Sequence, residues 1–371
     1  MILVAQGEVT DPLVSFISLK DPHMNFGFAN RIRYNHQADL TSKLEFVQNW
    51  CITNNIKDVI LTGDVSDTNE EAKWSFNQYV LNKNELVKFR EKGIQLWSVA
   101  GNHDMFNGMV KTNDTVFGEF VKEGVLKHLT KEPFFKVYGG TNSSGGTDGV
   151  VIFGVDYAKH KEQVEACLKG INDYKLNGQT LKIVVFHSHC TPAEIAVTDF
   201  TYNSLVETYP DIDIFICGHY HGGFPTTVIP KKDIPQNNGA YKTNSLIINN
   251  WSFQRVVRDY YNELDVHTPE FELVKIGWSV PLKDFIVERQ TIKVPCKTYA
   301  ETFKPKVVEL LKLTKKEQFD FFEKINFEEI PTGNDDLETI SKLSAKEGYS
   351  PEVVTLAIQY LNNVKVQDIE E

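Results

Sequence analysis

The sequence is poor in cysteine and contains no long apolar run. Its five cysteines are an odd number and form no Cys-x-x-Cys pair, which excludes a disulfide scaffold and is typical of reduced thiols. No run of about 18 apolar residues is present, so we predict no membrane-spanning helix. The opening segment MILVAQGEVTDPLVSF lacks a basic region and a long apolar stretch, so we predict no secretory signal. These absences together predict a cytoplasmic protein.

Positive charge is also in deficit. The chain has 39 Lys and Arg against 50 Asp and Glu, a net charge of −11, which argues against a large generic phosphate-binding surface. Residues 301–371 hold 9 lysines and 15 acidic residues, a net −6, and the first 300 residues hold 30 basic and 35 acidic residues, a net −5. More than half of the excess therefore lies in the last fifth of the chain. Body and tail are predicted to be different modules.

The sequence does have a series of short apolar runs separated by helix-like segments. With 41% hydrophobic residues among 371, the chain can bury a sizeable core as one large domain with an appendage, or as two domains. The runs are typical of strands buried on both faces. They are Leu13–Leu19, Val59–Thr62, Ile94–Ala100, Val150–Val155, Ile183–Phe186 and Ile212–Cys217. Asp39–Asn55 and Glu70–Glu91 are predicted helices between the first three runs. The alternation predicts an α/β fold with a layered core.

The later part of the body is predicted to be mostly strands and loops. FFKVYGG and VVIFGVDY, joined by a Gly/Ser-rich segment, predict a hairpin. Pro225–Asn244 contains three prolines, a glycine and several asparagines, and we predict a long loop there. SLIINN and Phe271–Ile276 are predicted strands.

The acidic tail has a different pattern. Helices are predicted over Phe303–Leu313, Lys315–Ile325, Asp335–Glu347 and Ser350–Asn363. Ser350 and Pro351 suit the N-cap and the first turn of the last helix. The apolar stripe of that helix is expected to pack on its own domain, and a partner-binding face is the alternative.

Polar side chains with metal-binding atoms follow five of the predicted strands. These loops are Asp21-Pro22-His23, Gly63-Asp64-Val65-Ser66-Asp67, Gly101-Asn102-His103-Asp104, His187-Ser188-His189 and Gly218-His219-Tyr220-His221. In open α/β sheets, sites form beyond the carboxyl ends of strands, so we expect the five loops to meet. A single such loop is weak support, but buried carboxylates and imidazoles cost several kcal/mol each unless they are paired or bound to metal. The set therefore predicts a metal centre.

Two divalent cations fit this set better than one. Seven nitrogen and oxygen ligands without a thiolate exceed the positions of a tetrahedral zinc, and they suit Mn²⁺ best, with Fe or Zn in expanded coordination still open. Two such ions about 3.5–4 Å apart need a bridging carboxylate, and Asp64, in a tight turn directly after a strand, is the predicted bridge. Their four positive charges would nearly cancel the −5 of the first 300 residues, so acidity does not exclude DNA.

The motifs DxH, GDxxD, GNHD, a strand-end His and GHxH occur in this order over residues 14–225. In this the sequence resembles the calcineurin-like metallophosphoesterase superfamily, and the resemblance implies a layered β-sandwich core flanked by helices. It assigns Asp21, His23 and His221 to one metal, Asn102, His187 and His219 to the other, and Asp64 to both. His189 is the alternative to His187 if the strand ends two residues later.

The resemblance also implies two catalytic residues. His103 would lie beside the scissile phosphate, where it neutralises charge or protonates the leaving oxygen, and Asp67 would orient it. Asp104 either assists or caps the following turn, and capping is favoured. A hydroxide shared by the metals would attack phosphorus in line. No thiol nucleophile is needed, so Cys190 and Cys217 are predicted core thiols.

Within the superfamily, the sequence most resembles the SbcD-type DNA repair exonuclease subunit. The motifs begin near the N-terminus, the segment after GHYHGG is similar, and a region follows the catalytic domain. This resemblance implies a DNA substrate and an SbcC-type coiled-coil ATPase bound through the C-terminal region, and a homodimer is left open. It divides the chain into a dimetal phosphoesterase domain (1–276), a linker or reduced cap (277–300) and an acidic helical region (301–371).

Two other functions remain open at this point. One is a phosphodiesterase or phosphatase that acts on a small phosphoester such as a nucleotide, and the other is a metal-binding scaffold without activity. Basic residues of the site loops could contact a nucleic-acid backbone or be solvated charges. They are Arg31, Arg33, His36, Lys43, Lys111, Lys122 and Lys127.

Overall fold

The computed structural model describes most of the body of the chain. The described residues are 3–4, 12–24, 36–66, 76–106, 108, 110, 115–138, 148–175, 180–195, 197–235, 241–253, 269–279 and 284–296. All of them belong to one compact unit of the chain. The four helices predicted for the tail and the predicted catalytic residue Asp67 lie outside them.

Fifteen strands are present in this part of the chain. In chain order they are β1 Leu3–Val4, β2 Val14–Leu19, β3 Asp58–Leu61, β4 Gln95–Ser98, β5 Lys127–His128, β6 Phe134–Tyr138, β7 Asp148–Val155, β8 Thr180–His187, β9 Cys190–Thr191, β10 Phe200–Thr201, β11 Ile214–Gly218, β12 Phe224–Pro235, β13 Tyr241–Asn249, β14 Glu270–Ser279 and β15 Asp284–Lys293.

The strands form two large mixed sheets and one small one. The first sheet has the order β1-β15-β14-β2-β3-β4-β5, and β2 to β5 run parallel to one another. The second has the order β12-β13-β11-β8-β7-β6, in which β7, β8, β11 and β13 are parallel. β9 and β10 pair separately. Because parallel strands end at the same edge, each large sheet presents several strand-end loops together.

Five helices cover the outer faces of the sheets. They are α1 His36–Thr53, α2 Phe76–Glu91, α3 Val116–Lys122, α4 Lys161–Asp173 and α5 Tyr202–Thr208, and a short 3₁₀ helix spans Asn102–Asp104. Apolar residues of α1, α2 and α3 pack on the first sheet, and those of α4 and α5 pack on the second. None of the helices in the described ranges is long and apolar enough to cross a membrane.

The alternation of side chains along the strands creates the layers. Successive residues of a strand point to opposite faces of its sheet. In β2, Phe16 faces the second sheet and Ile17 faces the helices. In β8, Val185 joins the layer between the sheets and Val184 packs toward α4 and α5. Both faces of these strands are therefore apolar, and the predicted α/β layered sandwich flanked by helices is confirmed.

The predicted hairpin and all eight predicted strands are present, but one loop prediction is wrong. Pro225–Asn244, predicted as a long loop, contains most of β12 and the start of β13, which pair antiparallel. The three prolines indicated a loop because proline has no N–H to donate to the neighbouring strands in the middle of a sheet. β12, however, is an edge strand and its pairing is interrupted by two register shifts, where proline is tolerated.

The first sheet also extends past residue 276. β14 continues to Ser279 and pairs antiparallel with β15, which lies inside the segment predicted as a linker or reduced cap. β15 in turn pairs with β1 near the N-terminus. Residues 284–293 are therefore part of the sheet, while the division of the whole chain into three regions remains a prediction.

Candidate metal centre

The loops predicted to carry the site meet at one edge of the two sheets. The backbone of His23 donates to the carbonyl of Asp64 (2.8 Å), which joins the loops after β2 and β3. In the second sheet, Gly218 pairs with His187, so the loops after β8 and β11 also start side by side. His187 Nδ1 lies 2.7 Å from the carbonyl of Thr62, which links the two sheets at this edge.

Two groups of three side chains can each hold a metal ion. One consists of His23, Asp64 and His221, and the other of Asp64, His187 and His219. Within each group the ligand atoms lie within 4.8 Å of one another. Asp64 belongs to both, which is the position that a bridging carboxylate occupies.

The two carboxylate oxygens of Asp64 have different partners. Oδ1 accepts a hydrogen bond from the backbone N–H of His103 (2.9 Å). Oδ2 faces both imidazoles, 3.4 Å from His23 Nε2 and 3.2 Å from His187 Nε2. Burial would raise the pKa of this carboxyl, but the imidazoles of His187, His23 and His103 hold it well below its usual value. Asp64 is therefore ionised.

Imidazole nitrogens of neighbouring histidines lie close together, as nitrogen ligands of one metal ion do. His23 Nε2 and His221 Nε2 are 2.9 Å apart. His219 has its pKa lowered to about 2 by burial and by His187 and His189, so its ring is neutral and can donate a lone pair to a metal. Burial lowers the pKa of His187, but Asp64 and Asp21 overcome that and raise it to about 9 in the metal-free chain. His187 would therefore have to lose a proton in order to bind a metal ion.

The backbone is strained at these positions. Asp21, His23, Asp64 and His219 have φ values of 42°, 42°, 47° and 83°, in the left-handed region that costs a non-glycine residue about 1–3 kcal/mol. Apart from these four, Asn55 is the only non-glycine residue with positive φ in the part of the chain that the structure describes. Such strain is typical of functional sites, where the surroundings enforce a conformation that the ligand geometry requires.

Gly101 permits the close approach of two loops. A Cβ atom at this position would lie 2.0 Å from Asp64 Oδ1 and 2.4 Å from the backbone nitrogen of Asp64. Only glycine therefore lets the loop after β4 lie directly against the shared carboxylate.

Two other predicted ligands lie beside the groups. Asp21 is fully buried; its Oδ1 accepts from the hydroxyl of Thr62 (2.9 Å), and its Oδ2 accepts from the backbone N–H of His219 (2.8 Å). Asn102 Oδ1 lies 3.3 Å from His187 Nε2, at the margin of the second group. Their roles as metal ligands remain predictions.

His103 lies beside His23 and Asp64. Its ring centroid is 4.9 Å from that of His23, and its side chain is half-buried. Asp67, predicted to orient it, lies outside the described residues. His103 is thus close to both groups without belonging to either.

Asp104 caps the turn that precedes it, and not the following turn as favoured from the sequence. Its carboxylate accepts hydrogen bonds from the backbone N–H groups of Val65, Ser66 and Gly101, each at 3.0 Å. Burial and the nearby charge of Asp64 raise its pKa to about 7. Asp104 therefore ties the loop after β4 to the loop after β3.

His189, the alternative to His187, lies outside both donor groups. Its ring centroid is 3.9 Å from that of His219, and its Nδ1 is 3.7 Å from the carboxylate of Asp199. His187, by contrast, is the last residue of β8 and faces Asp64.

Two residues after β7 support the site, and the sequence analysis did not identify them. Asp156 accepts from the backbone N–H of Ala100 (2.8 Å), just before the GNHD turn, and pairs with the buried His128 (2.8 Å). The Tyr157 ring lies 5.3 Å from that of His219. The sequence does contain a pattern that could have identified them. Asp156 and Tyr157 directly follow a predicted strand, as the polar residues of the other site loops do.

The donor set fits a pair of divalent cations. The two groups contain only nitrogen and oxygen donors and share one carboxylate, which suits Mn, Fe or Zn. Cys190 and Cys217, close by in sequence, are buried in the core instead, as predicted.

Comparison with known proteins adds three findings. A family model described as calcineurin-like phosphoesterase matches residues 21–223. Among solved structures, the chain matches the crystal structure of a dimetal phosphatase from Danio rerio, with 11% sequence identity and a TM-score of 0.38 over 77% of this chain and 100% of that one. Among curated protein sequences we found no significant match.

Proposed function

Because the chain belongs to the calcineurin-like phosphoesterase family, we propose that it hydrolyses phosphodiesters of nucleotides. Membership of this family makes it a metal-dependent phosphoester hydrolase that uses two divalent metal ions. The observation that carries the proposal is the pair of three-residue donor groups that share Asp64.

Different residues of the chain would bind the metal ions and contact the substrate. His23, Asp64 and His221 would hold one ion, and Asp64, His187 and His219 the other. When bound, the two ions act as Lewis acids toward phosphoryl oxygens and lower the pKa of water. The backbone N–H of His103 fixes Asp64 through a hydrogen bond, and its half-buried ring would contact the phosphate and protonate the leaving oxygen.

Three of the lysines that could contact a nucleic-acid backbone are paired with carboxylates, which favours a small substrate. Lys43 is buried in an ion pair with Asp39 (2.7 Å). Lys122 pairs with Glu119 (3.3 Å) and Lys127 with Glu132 (2.9 Å). These three candidate contacts for a nucleic-acid backbone therefore have their charges neutralised locally. A nucleotide needs fewer phosphate contacts than a polymer does.

The second candidate is the nuclease subunit of an SbcCD-type DNA end-processing complex that uses Mn²⁺. In support, strands β13 and β14 follow the GHYHGG loop as expected for such a nuclease. On this proposal the region 301–371 binds an SbcC-type coiled-coil ATPase, and a homodimer is left open. Arg31, Arg33 and Lys111, which could contact DNA, lie outside the described residues.

The substrate is tested by giving the Mn²⁺-loaded protein two kinds of phosphodiester. We expect turnover of thymidine 5′-(p-nitrophenyl) phosphate and of cyclic nucleotides, with little cleavage of an end-labelled duplex. Duplex degradation without nucleotide turnover would overturn the nucleotide proposal and support the nuclease. Asp64→Asn, tested in parallel, identifies activity from a contaminating enzyme.

A further inference from the structure

A buried lysine lies next to one of the predicted metal ligands. Lys20 directly follows β2 and precedes Asp21, and only 2% of its surface is exposed. An ammonium group loses its hydration on burial, which is costly unless hydrogen bonds replace the water. A methionine of similar length would fill the same space without that cost. What the lysine adds is therefore the set of hydrogen bonds that its ammonium group donates.

These hydrogen bonds join the loop after β2 to the second sheet. Lys20 Nζ donates to Asn249 Oδ1 (2.5 Å) and to the carbonyl of Gly222 (3.3 Å). Asn249 is the last residue of β13, and Gly222 directly follows His221 in the loop after β11. One ammonium group therefore contacts both a strand of the second sheet and the loop that carries two predicted metal ligands.

Two adjacent residues hold this loop at its two ends. At its start, Asp21 Oδ2 accepts a hydrogen bond from the backbone N–H of His219 (2.8 Å). At its end, Lys20 Nζ donates to the carbonyl of Gly222. The predicted metal ligands His219 and His221 lie between these two anchors, so the Lys20-Asp21 dipeptide determines where both imidazoles begin.

Lys20 is itself held in place by other contacts. Its carbonyl accepts from the backbone N–H of Phe253 (2.7 Å). Asn249 is 1% exposed, and its Nδ2 donates to the carbonyl of Cys190 (2.6 Å), which leaves its oxygen to face the ammonium group. Because the partners of Lys20 are fixed independently of Gly222, Lys20 can set the position of the loop.

The positions of the anchors indicate which metal ion depends on Lys20. Gly222 is adjacent to His221, whereas His219 is fixed separately by Asp21. Loss of the hydrogen bond to Gly222 should therefore displace His221 more than His219. These two histidines belong to different donor groups. An effect confined to one ion would separate positioning from a general loss of stability, which weakens both groups.

We propose that Lys20 is a positioning residue for the metal ion held by His23, Asp64 and His221, and that it acts by fixing the end of the loop after β11 through Gly222 and Asn249. This inference rests on the donor groups assigned under the proposed function and not on the identity of the substrate. A ligand that is held in place before the metal arrives binds it more tightly than one that must first be ordered.

The test is a calorimetric titration of the chelator-treated protein with Mn²⁺ alone. Lys20→Met keeps the length of the side chain and removes its N–H donors. We expect binding of one ion to weaken about 10–100-fold, as typically follows loss of a residue that orients a ligand, with the other ion changed less than about threefold.

Two histidine variants identify the affected ion. His219→Ala leaves the donor group of His221 intact, and adding Lys20→Met should weaken the remaining ion by the same about 10–100-fold. His221→Ala leaves only the group of His219, and adding Lys20→Met there should have little further effect, because the side chain that Lys20 positions is already gone.

Lys231→Met is the matched control. Lys231 is also buried, and its ion pair with Asp213 (3.2 Å) lies at the opposite end of β11 from His219. The variant leaves Asp213 buried without this partner, so it should lower the urea midpoint of unfolding. It should keep the native affinity for both ions, which shows that destabilisation alone does not mimic Lys20→Met.

Asn249 provides a second test if Lys20→Met fails to fold. Asn249→Leu removes the acceptor that orients Nζ and should weaken the ion of the His221 group roughly three- to tenfold, as one hydrogen bond provides. Asn249→Asp keeps an acceptor for Nζ and should recover most of that loss, although both variants lack the donor to Cys190.

The outcomes separate the role of Lys20 from the proposed function. Equal weakening of both ions in a folded Lys20→Met overturns the role of Lys20, as does unchanged or tighter binding, which would mean that repulsion between the ammonium group and the cations outweighs positioning. Retention of both ions by His221→Ala would instead overturn the donor groups of the proposed function and the role of Lys20 with them.

Discussion

Replacing Asp64 by asparagine should remove both metal ions. The substitution keeps the size of the side chain and an oxygen for the N–H of His103, but it removes the negative charge that both donor groups share. A neutral amide is a poor bridge between two cations. The change therefore tests the shared position of Asp64 without a large change in packing.

The expected magnitude follows from the geometry. Loss of residues that merely orient a ligand typically weakens metal binding about 10–100-fold, so loss of a shared ligand should weaken each site by at least about 100-fold. In the metal-free protein, Asp64 helps to raise the pKa of His187 to about 9. Asp21 still raises the pKa of His187 in the variant, and even complete deprotonation of His187 at pH 7 would cost at most about 3 kcal/mol over two pKa units. The variant should therefore remain folded.

Elemental analysis after gel filtration measures this directly. We expect about two metal ions per native chain and fewer than one per Asp64→Asn chain, with the native circular dichroism spectrum retained. Asp213→Asn is the matched control, because Asp213 is also buried but pairs with Lys231 away from both donor groups (3.2 Å). Full retention of both metals by a folded Asp64→Asn would refute the shared-ligand account.

Three further predictions concern neighbouring residues. His103→Ala should reduce kcat on bis(p-nitrophenyl) phosphate at least about 100-fold with metal content near two; unchanged turnover would contradict its role. His187 is protonated below its metal-free pKa of about 9, so a metal ion must displace a proton there. Metal affinity should therefore rise roughly tenfold per pH unit from 7 to 9 and then level off. Titration in buffered Mn²⁺ measures the affinity, and a flat pH profile would count against His187 as a ligand. Gly101→Ala should displace Asp64 and lose metal by elemental analysis, since its Cβ would lie 2.0 Å from that carboxylate. Gly170→Ala, in α4 with no atom within 4 Å of its Cβ, should retain metal and gain about 1 kcal/mol in urea unfolding; equal metal content in both variants would contradict the clash.

The site at the strand ends was predictable because charged side chains lie there beside strands that are buried in an apolar core. Asp64 and His187 directly follow or end apolar strands that must be buried, and charged groups there require partners. Parallel strands then bring such residues to one edge. This reasoning does not need the order of strands in the sheet, which the sequence left open.

The outer strands of the sheets and the contacts that support the site were harder to predict. β12 contains three prolines, and only the observation that it lies at the edge of a sheet makes them compatible with a strand. β15 (DFIVERQTIK) was missed because its apolar run is only three residues long and is followed by charged and polar residues. Asp156 was missed because its partner His128 is distant in sequence and comes close only through folding.

The choice between His187 and His189 depends on where strand β8 ends. The sequence left the end of the strand uncertain by two residues, and either histidine could have faced the site. In the structure β8 ends at His187, whose Nε2 faces Asp64 at 3.2 Å, and His189 lies near Asp199. Strand ends are set by tertiary pairing, here with β11, which local sequence does not encode.

The most direct test of the central claim is a Mn²⁺ titration of the chelator-treated protein that follows metal content and hydrolysis of bis(p-nitrophenyl) phosphate together. The account predicts two bound ions per chain and full activity only when both donor groups are filled. Saturation at one ion, or hydrolysis that persists in the chelator-treated protein, would contradict it.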